Sequence, residues 1–163
     1  MKGTLLAVAG LLLSVSPLSA QSQAALRATP ELLQGLGSGF KEVNDAIIKS
    51  AEMVPADKYT YRPVATVRTF GELVAHVADS YVWYCNRAAG QNRQWSDAIE
   101  KGKIDKATVT QKLRESLAVC TAAYSNANSR VDGLVINIAH TNLHYGNMIT
   151  YLRMMGLVPP TSG

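Results

Sequence analysis

The sequence predicts an all-α chain that folds as one four-helix bundle. Three observations carry that expectation. Apolar residues recur at spacings of three and four in four separate stretches. The stretches begin or end on helix-stop and helix-start signals. Only Leu134–Ile138 could be read as a strand. Amphipathic helices of this length and number pack as a bundle, here expected over residues 29–160.

Ahead of the bundle, Met1-Lys2 precedes an apolar run from Leu5 to Val15 and then small residues up to Ala20. That is the pattern of a secretory signal peptide, and the run is too short to span a bilayer. Cleavage is expected after Ala20 or as late as Ala24, where Ser22-Gln23-Ala24 gives a small-x-small site. The mature protein is then exported, periplasmic or secreted, with no membrane anchor. About 140 residues remain, the usual size of one domain. The chain has 16 Lys and Arg against 12 Asp and Glu, a net charge of +4. These charges are scattered, and the run Glu100-Lys101-Gly102-Lys103-Ile104-Asp105-Lys106 mixes both signs. No basic face for nucleic acid results. Cys85 and Cys120 are the only cysteines. An oxidising compartment permits a disulfide between them; two free buried cysteines are the alternative.

The first helix opens at Thr29-Pro30-Glu31: a cap, a proline at the first helical position and an acid in the first turn. Leu33, Leu36, Phe40, Val43 and Ile47 form its apolar seam, and it ends near Met53, before Pro55. A linker over 54–68 follows. The second helix starts at Thr69-Phe70-Gly71-Glu72, a capping box, and runs to about Ala88. His76 shares a stripe with Glu72, Asp79, Ser80 and Trp83. The rest of this helix is largely apolar, which suits either a central position or the face of a homodimer. Residues 89–107 form the longest connection, a length that often marks function. Trp95 within it either lines a pocket mouth or pins the loop to the bundle. The third helix is expected from Thr108, with Gln111 completing a second capping box, to about Asn126. A turn at Asn128–Gly133 leads to the fourth.

The fourth helix carries the chemistry. Stepping three and four residues at a time gives a polar seam of Asn137, His140, His144, Asn147 and Tyr151. Leu134, Met148, Leu152 and Met155 flank it on one side; Ile136, Leu143 and Met154 flank it on the other. Arg153 points away. Gly156 and Pro159 mark the end. A polar stripe between apolar flanks is an inward-facing site, and buried polar groups need partners. His140 and His144 lie one turn apart on one face, and His76 is placed to face them from the second helix. A metal ion is a natural partner for such imidazoles; core histidines with ordinary hydrogen bonds are the alternative.

Three blocks of sequence carry a resemblance. They are Tyr61-Arg62-Pro63; Thr69-x-x-Glu72-Leu73-x-x-His76; and His140-x-x-x-His144-x-Gly146-Asn147-x-x-x-Tyr151-x-Arg153-x-x-Gly156-x-x-Pro159-Pro160. Together they resemble the DinB/YfiT-like metal-binding family, which is distinct from the DNA polymerase sharing the DinB name. The resemblance implies a four-helix bundle holding a divalent ion, zinc or nickel, on His76, His140 and His144. It departs from the family at Asn147, where many members have glutamine, at Tyr145, where they have histidine or arginine, and at Phe70, where tryptophan is frequent. Some relatives are thiol S-transferases and some are hydrolase-like.

Three neutral imidazoles leave a divalent ion at least one open position, as catalytic sites do. The expected function is therefore a metal-dependent hydrolase or transferase acting on an unidentified small molecule. The competing expectation is a non-catalytic bundle that binds metal or a partner. No catalytic residue is assigned. Glu72, Asp79, Asn147 and Tyr151 are candidates for the surrounding shell or for substrate contact. Glu72 also has a capping role, Asp79 also suits a solvated helix face, and Asn147 and Tyr151 could satisfy each other. Trp83 is expected in packing.

Overall fold

A computed structural model describes residues 28–162. The expected leader, residues 1–20 or 1–24, lies outside the described residues. Four helices follow in order: α1 (Pro30–Met53), α2 (Phe70–Ala88), α3 (Lys106–Tyr124) and α4 (Val131–Met154), with a 3-10 turn at Ala56–Lys58 after α1. α1 packs on α3 and α4, and so does α2. The helices thus form a square, with α1 and α2 on one diagonal and α3 and α4 on the other. Side chains fill the centre. Phe40 of α1 stacks on Tyr124 of α3 with centroids 4.5 Å apart and meets the edge of Tyr81 of α2 at 5.3 Å.

Each helix end has a local cause. The Thr29 hydroxyl accepts from the Leu32 N–H, with Pro30 in the first turn. Thr69 and Glu72 form the reciprocal capping box in full. α3 starts earlier than expected. Its cap is Asp105, whose carboxylate accepts from the Thr108 N–H at 3.1 Å and from the Thr108 hydroxyl at 2.7 Å. Thr108 is therefore held inside the first turn, and Gln111 pairs with Glu115 instead. α4 also starts early and takes in Leu134–Ile138 as helix. No side chain caps it. Its start is fixed from outside, by an Arg130 N–H donated to the Ala88 carbonyl at 2.8 Å. Gly133 permits that approach, because a Cβ there would meet Ala88 Cβ at 3.0 Å. At the far end Gly156 has φ +77, and Leu157 N–H returns to the Leu152 carbonyl. This is a Schellman motif.

The inward stripe of α4 is rotated from the expected seam. Asn137, Thr141, His144, Met148 and Tyr151 are buried, His140 is half-buried, and Asn147 is exposed. Both steppings satisfy helical periodicity, and packing selects the one that buries Met148. As a result Leu134, Met148 and Leu152 enter the core, while Ile136, Leu143 and Met154 face outward. Cys85 and Cys120 form a disulfide with Cα atoms 5.0 Å apart, joining α2 to α3. No helix among the described residues is long and apolar enough to cross a membrane.

Candidate metal centre

The two diagonals of the bundle place α2 beside α4, and their facing sides bring the three histidines together. His140 and His144 are one turn apart, with Nε2 atoms 3.1 Å from each other. The His76 ring lies 4.7 Å from the His144 ring and 5.5 Å from the His140 ring, centroid to centroid. One ligand atom from each of the three lies within 4.8 Å of the others. Two nitrogens on one tetrahedral zinc at 2.0–2.1 Å stand about 3.4 Å apart. The His140–His144 pair already lies near that separation, and the three-histidine cluster could hold a metal ion.

The electrostatics keep these imidazoles neutral. Burial pushes His140 down to about 4, helped by His76 and Arg68. Burial likewise pushes His144 down to about 3, helped by His140, His76 and Arg68. His76 is lowered too, chiefly by burial and then by Arg68. Neutral imidazole is the form that binds metal. The Nδ1 atoms of His140 and His144 are buried without a hydrogen-bond partner among the described residues.

His76 is held differently. Its Nδ1 lies 3.0 Å from Glu100 Oε2. Donation of Nδ1–H to that carboxylate leaves Nε2 with a free lone pair. Glu100 is itself fixed twice. Arg68 donates to it from Nε at 2.6 Å and from Nη2 at 3.3 Å. Asp79 receives the backbone N–H of Ile99 at 3.1 Å and of Glu100 at 2.9 Å. Asp79 thus ties the long connection to α2 at the point where Glu100 must reach His76. Burial raises the Asp79 carboxyl, and the two N–H groups counter that rise.

The same connection supplies a wall. The Trp95 ring sits 5.6 Å from His76 and 5.7 Å from Trp83, centroid to centroid, and Tyr84 lies 5.1 Å from His140. Trp95 therefore packs over His76 and against Trp83, and so pins the connection to α2.

The remaining candidates have other partners. Glu72 Oε2 accepts from the Thr69 N–H at 2.6 Å and lies 3.8 Å from Arg62 Nη2. That backbone bond is the main cause that lowers its carboxyl. Tyr151 donates to the Arg68 carbonyl at 2.7 Å and not to Asn147. It so steadies the residue that grips Glu100. Glu100 and Arg68 are absent from the sequence-based site. Glu100 sits in an aperiodic connection, and the length of that connection was the only signal near it.

A family model described as the DinB superfamily matches residues 40–148. The chain belongs to the DinB superfamily. The fold agrees with this. It is similar to the crystal structure of a DinB-like protein from Bacillus cereus ATCC 10987, with a TM-score of 0.63 and 14% identity over 78% of this chain and 95% of that one. No curated protein matches the chain. In this DinB-superfamily bundle, the histidine cluster lies between α2 and α4, and the connection before α3 closes over it.

Proposed function

We propose that His76, His140 and His144 hold a single divalent ion, zinc or nickel, and that this centre serves a hydrolase or transferase reaction on a small molecule. One observation carries the reading: three imidazoles kept neutral by burial converge on one point. When bound, such an ion would supply Lewis-acid polarisation of a carbonyl or phosphoryl oxygen. The chain's own residues do the rest. Glu100 holds the His76 tautomer, Arg68 and Asp79 hold Glu100, and Trp95 covers one side of the His76 ring. A non-catalytic metal site is the second reading. It is favoured by the carboxylates, since Glu72, Asp79 and Glu100 are each engaged by N–H groups or by an ion pair.

Metal analysis of protein purified without chelator or nickel resin tests the proposal. One equivalent of metal is expected in the wild type and far less in His144→Ala. Full occupancy in His144→Ala, or no stoichiometric metal in the wild type, would overturn it.

A further inference from the structure

The aromatic side chains beside His140 also border a cleft. This cleft of about 270 Å³ lies between α2 and α4, bordered by Trp83, Tyr84, Arg87, Arg130 and Ile136. None of the three histidines lines it, and it meets the cluster only through Tyr84. Tyr84 packs on His140, and Ile136 is one turn before His140 on α4. Trp83, Tyr84 and Ile136 give it an aromatic and apolar side, and Arg87 and Arg130 line it together with one carboxylate, Asp132. The Arg87 guanidinium lies over the Trp83 ring, 5.0 Å from the centroid. That stacking orients the group flat and leaves its N–H edge available. Arg87 forms no ion pair among the described residues, whereas Arg130 is taken by Asp132 at 2.8 Å. The charge facing the cleft is therefore a net positive one, centred on Arg87.

We infer that this cleft is the substrate side of the metal centre and takes a small organic acid with an aromatic or apolar body. The inference rests on the metal reading above. The acid group pairs with Arg87, the body lies against Trp83 and Tyr84, and the other end points toward His140. An arginine fork matches carboxylate geometry better than a point charge would.

Phenylacetate and its neutral amide, phenylacetamide, serve as probes, with binding read by calorimetry and metal content measured on the same samples. The wild type should bind the acid about tenfold more tightly than the amide, as one charge-assisted contact would give. Arg87→Gln should abolish that preference and leave metal content and melting temperature unchanged. Arg87→Lys should retain part of it. His144→Ala should lose metal and keep the preference, because Arg87 lies outside the histidine cluster. Equal binding of acid and amide by the wild type would overturn the inference. So would a preference that survives Arg87→Gln but disappears in His144→Ala, since the acid would then be sitting on the metal. If the wild type proves metal-free yet shows the Arg87-dependent preference, the metal reading fails and the acid site stands.

Discussion

His76 depends on a carboxylate that comes from 24 residues away. Glu100→Gln keeps the size of that partner but removes its charge. The substitution should weaken metal binding by about 10–100-fold, the usual effect of losing a ligand's orienting partner. Competition with a chromophoric chelator reads this, and an unchanged affinity would show that Glu100 serves the loop alone. Acid should act on the same cluster in metal-free protein. In the unfolded chain a histidine titrates near 6.5, whereas folding lowers His140 to about 4 and His144 to about 3. Above pH 7 the two states bind the same protons there and nothing changes. As pH falls from about 6.5 towards 4 the unfolded state gains protons that the folded state refuses, so stability declines across that window. Chemical denaturation of metal-free protein between pH 7 and 4.5 should show the decline. In His140→Gln/His144→Gln it should be smaller, and an equal decline would assign it to other groups. The three histidines were legible in the sequence because two share a helical spacing and the third lies on another apolar-flanked stripe. Glu100 was not, because nothing local distinguishes it from the other acids of its connection.

Elements were legible where their ends are written locally. Thr29-Pro30 and the Thr69–Glu72 box name their helices outright. The start of α3 was displaced because Asp105 out-competes Thr108: a carboxylate reaches both the N–H and the hydroxyl of the same residue. The start of α4 was blurred because its determinant is tertiary, the docking of Arg130 and Gly133 on Ala88. The phase of α4 was read to within a small rotation: Asn137, His144 and Tyr151 turn inward as expected and Asn147 does not, because two steppings of three and four residues fit the apolar pattern and the neighbouring helices choose between them. The disulfide belongs to this scale as well. It joins α2 to α3 across a separation of 35 residues. A loop of that length predicts about 4 kcal/mol of stabilisation by restriction of the unfolded chain. Cys85→Ser/Cys120→Ser should therefore unfold at clearly lower denaturant than the wild type. Equal midpoints for the oxidised wild type and the double variant would show that the cross-link contributes nothing.

For the whole molecule, the bundle followed from periodicity and the helix-end signals, whereas the address of the protein rests on two separate signs. One is the expected leader before Ala20 or Ala24; the other is the Cys85–Cys120 disulfide, which is consistent with an oxidising location outside the cytoplasm. We propose export on these grounds. N-terminal sequencing of protein recovered from its native host should begin between Gln21 and Ala25, and an intact Met1 in a cytoplasmic fraction would rule it out. Placing the histidines on both α2 and α4 has a further result. The candidate ligands span residues 76 to 144, so an unfolded chain would offer an ion no more than the His140–His144 pair. A chain threaded across a membrane before folding cannot carry its ion with it. Loading would then wait for the helices to meet, and free copper, which outcompetes zinc and nickel for nitrogen ligands, would be the rival on the far side. The identity of the ion would be set by the supply where the chain folds as much as by the three imidazoles themselves.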